Sequence, residues 1–154
     1  MSEQQAQDAI DAAPLSDHQT ITDLPGPTGE SNRLKETARA PFLCLGPGSN
    51  ASLDQARAVQ ELGGRAVVAT GALPPKALET LTGFSGVLFW GSPKISRDYA
   101  CALANRSGAI LPLVTTTPDA SYVIAEHHIC IDTTASGGNA DLLAQISPPN
   151  TADT

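Results

Sequence analysis

Three small sets of residues carry side chains or backbone that could do chemistry. The first is "GPGSNA", residues 46–51, which reads Gly46-x-Gly48-x-x-Ala51 between an apolar run and a helical pattern. In that context backbone N–H groups and a helix N-terminus can receive a pyrophosphate, so Gly46, Gly48 and Ala51 are candidate nucleotide-binding positions. Two residues argue against it. Pro47 has no N–H to donate, and the next strand ends in "VVATGAL", where an acidic residue should meet the ribose hydroxyls. The second set is Cys44, Cys101, Cys130, His127 and His128. Adjacent histidines on a strand point to opposite faces, so only His128 and Cys130 share a side. Two ligands without a third make no zinc site, and no metal is expected. No Gly-x-Ser-x-Gly elbow is present, and no acid/base pair stands near Cys44 or Cys101, so no catalytic residue is assigned.

The third set is "TTASGGNADLL", residues 133–143. Gly137 and Gly138 can take positive φ and turn their N–H groups into an anion nest. Asn139 would cap the helix that follows. Asp132 and Asp141 place negative charge beside that nest, which disfavours an anion, whereas Leu142 and Leu143 offer an apolar face. The pattern suits docking onto another protein surface.

These segments need a scaffold, and the hydrophobic pattern supplies one. "PFLCL", "RAVVA", "GVLFW", "AILPLVTT" and "SYVIAEHHICID" read as five strands. Between them, "ASLDQARAVQEL", "PPKALETL" and "SRDYACALANR" read as helices, and "ADLLAQI" follows the last strand. Asn50 or Ser52 would cap the first helix, with Leu53, Ala56 and Val59 on its apolar side. Ser96 would cap the third. Pro112 marks its strand as an edge or bulge.

Alternation of this kind predicts an α/β fold: a Rossmann-like, mostly parallel sheet of about five strands with helices on both faces. The last strand follows the fourth without a helix, so it pairs antiparallel or leaves the sheet. Residues 1–40 read as a flexible lead-in and linker, 41–121 as the α/β domain, 122–146 as a strand-turn-helix docking motif, and 147–154 as a disordered tail.

Composition sets outer limits. The 154 residues carry a net charge of −7, and 41% of them are hydrophobic. A surface of that sign repels phosphate, which argues against nucleic-acid partners. No run of about 18 apolar residues is present, so no membrane span is expected. The opening residues lack the basic and apolar regions of a signal peptide, and three widely spaced cysteines suit reduced thiols. Both point to the cytoplasm.

The segment "AEHHICIDTTASGGNADLL", residues 125–143, resembles the C-terminal motif of proline utilization A, a bifunctional flavoprotein family that oxidises proline to glutamate. The match falls on Thr133, Ala135, Ser136, Gly137, Gly138, Asn139 and Leu142. It departs at Asp132, where the family pattern has Asn. "LPGPTGESNRL", residues 24–34, is similar to the segment that joins the family's aldehyde dehydrogenase module to its C-terminal domain. The resemblance covers about residues 22–146.

The family's flavin-bearing barrel and its NAD-dependent module, with a catalytic cysteine in a Gly-Gln-x-Cys setting, have no counterpart here. FAD and NAD belong to those modules, so the resemblance implies no cofactor for this chain. It implies instead a detached or truncated copy of the non-catalytic, Rossmann-like terminal domain, aldehyde dehydrogenase superfamily-like in fold. In the family that domain covers the aldehyde dehydrogenase module and helps enclose the channel for the intermediate. The aldehyde dehydrogenase module is then the expected partner, with Thr133, Ala135, Ser136, Gly137, Gly138, Asn139, Leu142 and Leu143 as the docking motif. The residues leave two other readings: an autonomous nucleotide-binding domain using the Gly46 loop, and a truncated gene product without function.

Overall fold

The computed structural model describes residues 1–16 and 18–132. The elements run α1 (Glu3–Asp11), β1 (Gln19–Leu24), β2 (Glu30–Ala38), β3 (Phe42–Cys44), α2 (Gly48–Glu61), β4 (Ala66–Val68), a 3₁₀ turn (Pro75–Glu79), β5 (Gly86–Leu88), α3 (Pro93–Ala104), β6 (Leu113–Val114), α4 (Ala120–Val123) and β7 (Ile124–Asp132). They form two sheets. One has four parallel strands in the order β4-β3-β5-β6; the other has three strands in the order β1-β2-β7.

The four-stranded sheet is the expected α/β core. Leu43 lies level with Val67 on β4 and Val87 on β5, and Cys44 with Val68 and Leu88. Side chains alternate faces along a strand, and two apolar clusters follow from that alternation. Leu43, Leu45, Val87 and Phe89 pack with Tyr99, Ala102 and Leu103 of α3, with Ala77 and Leu78 of the 3₁₀ turn, and with Ala6 and Ile10 of α1. Phe42, Cys44 and Leu88 pack with Ala56 and Val59 of α2 and with Val123 and Ile124. Both faces are therefore covered, which is why β3 and β5 read as continuous apolar runs. Gly86 is required by this packing. A Cβ there would stand 2.3 Å from the Phe42 ring, which is fully buried.

The structure adds detail to four expectations. Residues 1–40, read as a flexible lead-in and linker, hold α1, β1 and β2. In α1 the Ser2 hydroxyl accepts from the Gln5 amide while the Gln5 side chain accepts from the Ser2 amide, a capping box. Only Ala6 and Ile10 of α1 are buried, so its apolar periodicity is too sparse to stand out in sequence. In "LPGPTGESNR" the proline-glycine half is the connector, at residues 25–29, and the rest opens β2. A connection that short joins only antiparallel strands.

Second, of the roughly five strands expected, four form the parallel sheet. The fifth expected strand is β7, which pairs with β2 in the other sheet. That is one of the two alternatives read from the missing crossover helix. Third, α2 starts at Gly48 with Pro47 as N-cap, and α3 starts at Pro93 with Ser92 as N-cap. Neither cap is Asn50, Ser52 or Ser96. Fourth, the buried side of α2 is Ser52, Gln55, Ala56 and Val59, while Leu53 is 53% exposed. β6 sits at the sheet edge, as Pro112 indicated.

By its internal contacts the chain divides into two compact units. One comprises Met1–Gln19 and Glu36–Ala125; the other comprises Thr20–Lys35 and, among the described residues, 126–132. The second holds most of the β1-β2-β7 sheet, whose edge strand β1 is exposed along its whole length.

A closed glycine loop and a candidate apolar cavity

The Gly46 loop lies where β3 hands over to α2. Gly46 and Gly48 take φ of 90° and 77°, which non-glycine residues adopt rarely. A Cβ on Gly46 would meet the Gly48 amide nitrogen at 2.5 Å. The glycines therefore make a tight turn, as the motif demands. One of the loop's donors is already engaged. The Gly46 N–H donates to Gln55 Oε1 at 3.0 Å, and Gln55 Nε2 donates to the Gly46 carbonyl at 2.8 Å. Gln55 is wholly buried. The Ser52 hydroxyl donates to the Gly48 carbonyl at 2.9 Å. Pro47 contributes no N–H.

A dinucleotide loop must keep amides open for the pyrophosphate. In this loop a side chain of its own helix already occupies the first of them. The acidic residue for the ribose is missing as well: β4 runs out into Ala69, Thr70 and Gly71. Gly46, Gly48 and Ala51 form a strand-to-helix turn whose Gly46 amide is taken by Gln55. Gln55 and Ser52 were not singled out in the sequence. The available signal was a glutamine in the register of Ala56 and Val59, on a face that should be apolar.

Beside this loop, at the carboxyl ends of β3, β4 and β5, is a cavity of about 480 Å³. It lies between the strands where the order reverses, β3 leading outward to β4 on one side and β5 lying on the other. Leu45, Ala69, Leu73, Phe89, Ile95 and Tyr99 are among its lining residues. Tyr99 is fixed by an edge-on contact with Phe89, ring centres 5.1 Å apart, and by donating its hydroxyl to the Leu73 carbonyl at 2.8 Å. Burial raises the pKa of that phenol. Asp98 is the one charged residue of the lining.

The remaining candidates are dispersed. Cys44 is buried and inert, its thiol pushed up to about 12 by burial. Cys101 and Cys130 are exposed, on α3 and β7 respectively. His127 and His128 are exposed on β7. Among the described residues no group of three His, Cys, Asp or Glu could hold a metal. Trp90 is half-buried past β5 and donates from Nε1 to the Thr116 carbonyl at 2.9 Å, so it ties two strand ends together. Residues 133–143, with Gly137, Gly138 and Asn139, lie outside the described residues. Among the described residues no helix is long and apolar enough to cross a membrane.

No family model matches the chain. It is 31% identical over 143 aligned positions to the Bifunctional protein PutA of Salmonella typhimurium, covering 78% of this chain and 11% of that protein. Among solved structures it is similar to a variant of Bradyrhizobium japonicum Proline Utilization A (28% identity, TM-score 0.47, 61% of this chain and 13% of that one). It is also similar to another bifunctional proline utilization A protein (25% identity, TM-score 0.47, 71% and 14%). The chain is thus related to one portion of proline utilization A and spans about a ninth of the length of the curated relative it matches.

Proposed function

We propose that this chain is a non-catalytic module of the proline utilization A type, which covers an aldehyde dehydrogenase module and helps enclose the path of the intermediate between proline and glutamate. The observation that carries the reading is the Gln55 clamp on Gly46. It spends, on a buried internal pair, the group a Rossmann-like domain would offer to a cofactor. The chemistry of the other candidates agrees. The Cys44 thiol stays protonated at neutral pH, and among the described residues the exposed cysteines and histidines make no hydrogen bond or ion pair with an acid/base partner. The aldehyde dehydrogenase module is the partner, and no cofactor is bound by this chain. Docking falls to β7 and the motif after it. β7 is an edge strand with Ile129 and Ile131 exposed at 42% and 43%, and such an edge can accept a further strand.

The test is a coupled assay. A proline utilization A protein from which the matching region has been removed is mixed with the purified chain. The chain should co-purify with it, and the proline-to-glutamate flux should rise. Removing residues 122–154 should abolish both effects. A chain that stays monomeric beside that protein, or a deletion without effect on flux, refutes the covering role. Titration with NAD, NADP and FAD separates the alternative. Saturable binding below about millimolar would favour an autonomous nucleotide domain.

A further inference from the structure

We infer that β6, the free edge of the parallel sheet, is a docking site for an extended acidic segment of a partner protein, which adds to that sheet as a further strand. The site lies on a different strand from β7, so it goes beyond the covering role proposed above and does not depend on it.

The backbone is the first ground. β6 ends the strand order β4-β3-β5-β6. Along it the carbonyls of Pro112 and Val114 accept from the amides of Val87 and Phe89 at 2.9 and 3.0 Å. Residues 112 and 114 therefore face β5, and the backbone groups of Leu111, Leu113 and Thr115 face away from it. Leu111 and Thr115 make no backbone hydrogen bond with any described residue. Pro112 does not blunt this edge: the N–H it lacks belongs to the inner side, and the outward donors of Leu111 and Leu113 are intact. Ile110, which leads into the strand, is 97% exposed. Open backbone beside an exposed apolar side chain is what an added strand covers.

Charge selects the occupant. Three depressions adjoin β6; Leu111 lines two of them and Leu113 lines two. Each holds one arginine (Arg106, Arg39 and Arg97 in turn), and no carboxylate lines any of the three. Arg39 and Arg106 are anchored on the carbonyls of Ile124 and Leu78. None of the three arginines forms an ion pair among the described residues. The carboxylates of the neighbouring segments are placed elsewhere. Asp98 lines the cavity at the carboxyl ends of β3, β4 and β5, Asp119 accepts from the Ser121 amide, and Glu79 accepts from Asn105 Nδ2. In a chain of net charge −7, this edge is a local positive patch. Main-chain hydrogen bonds hold an added strand whatever its sequence, and the complementary charges select the partner and its register. A second copy of this acidic chain is repelled at long range, whereas a partner segment carrying carboxylates is drawn to the arginines.

The experiment uses the full chain, uniformly labelled with ¹⁵N, titrated at fixed ionic strength with a blocked peptide that alternates valine with glutamate. The controls are its lysine counterpart and a glutamate peptide whose valines are N-methylated, which lacks the amides that pair. The glutamate peptide should give saturable shifts at the Leu111, Leu113 and Thr115 amides, and both controls should give none. Arg97→Glu changes an exposed side chain that makes no hydrogen bond to the fold; it should weaken the peptide about two- to fivefold, the range of an exposed ion pair. The inference is overturned if those amides show no saturable shift, if either control binds as tightly, or if Arg97→Glu leaves the affinity unchanged. Shifts confined to residues 126–132 would move strand acceptance to β7. Shifts that follow chain concentration without peptide would make the occupant a second copy. Either result also overturns it.

Discussion

Gln55 is the residue on which the loop's character turns. It is fully buried yet polar, and both of its hydrogen bonds go to the backbone of one residue, Gly46. Such a side chain takes the Gly46 N–H, a donor that a pyrophosphate or a water would otherwise meet. Replacing it with leucine keeps the bulk and orphans the Gly46 N–H, while the Gly46 carbonyl still accepts from the Trp90 N–H at 2.8 Å. An orphaned buried donor costs about 1–3 kcal/mol, so Gln55→Leu should lower the unfolding free energy by about that much in urea denaturation. Leu53→Ala on the same helix, at a side chain 53% exposed, should cost well under about 1 kcal/mol. Equal losses at the two positions would mean that the clamp contributes nothing to stability.

At the scale of elements, the parallel strands were legible and the peripheral ones were not, for a physical reason. β3 and β5 are buried on both faces, so "FLC" and "GVL" stand out as apolar runs between turn residues. β1 is exposed at every position, and β2 is at best half-buried along its length. Without a dry face there is no alternation to read, and the prolines and glycines between these strands drew the whole region into a connector. α2 was found, but its buried side was misjudged, because periodicity counts leucine as core and glutamine as surface. The Gly46 clamp reverses that assignment at Leu53 and Gln55. The turn at Gly46 itself was legible, since two glycines at that spacing fit a strand-to-helix hand-over whether or not anything binds. The closing of its Gly46 amide depends on a partner nine residues away in sequence, at Gln55, which no local motif records.

α1 shows the same limit and gives a test. Its contribution rests on Ile10, 4% exposed in the core, on Ala6, and on Gln7, which exchanges two hydrogen bonds with the backbone of Thr82 at 3.0 and 3.2 Å. Ile10→Ala should cost about 2–5 kcal/mol as a core truncation. Ser2→Ala should cost about 1 kcal/mol through loss of the cap. If α1 were a passive lead-in, both changes would be silent in thermal or urea melts.

For the whole molecule, the division into two compact units predicts two levels of stability. The first unit holds both apolar clusters and the four-stranded parallel sheet; the second rests on a three-stranded sheet with an exposed edge. Local opening costs least where few apolar groups are buried and backbone hydrogen bonds meet solvent. In amide hydrogen exchange, residues 42–45 and 87–89 should therefore be the slowest, exchanging only on global unfolding. Ile21 and Thr22 in β1, and Ile129 in β7, should exchange orders of magnitude faster. The covering role adds a second expectation to the same measurement. A dehydrogenase partner that extends the sheet at β7 would close that strand's open edge, so protection should rise along 126–132 on mixing while residues 42–45 stay unchanged. A uniform protection level would contradict the two-unit division. A rise confined to the parallel sheet would place the partner on a different face. Ile129 and Ile131, exposed on an edge strand of a chain with net charge −7, make the first outcome the physical expectation, since an apolar edge gains most from being paired and covered.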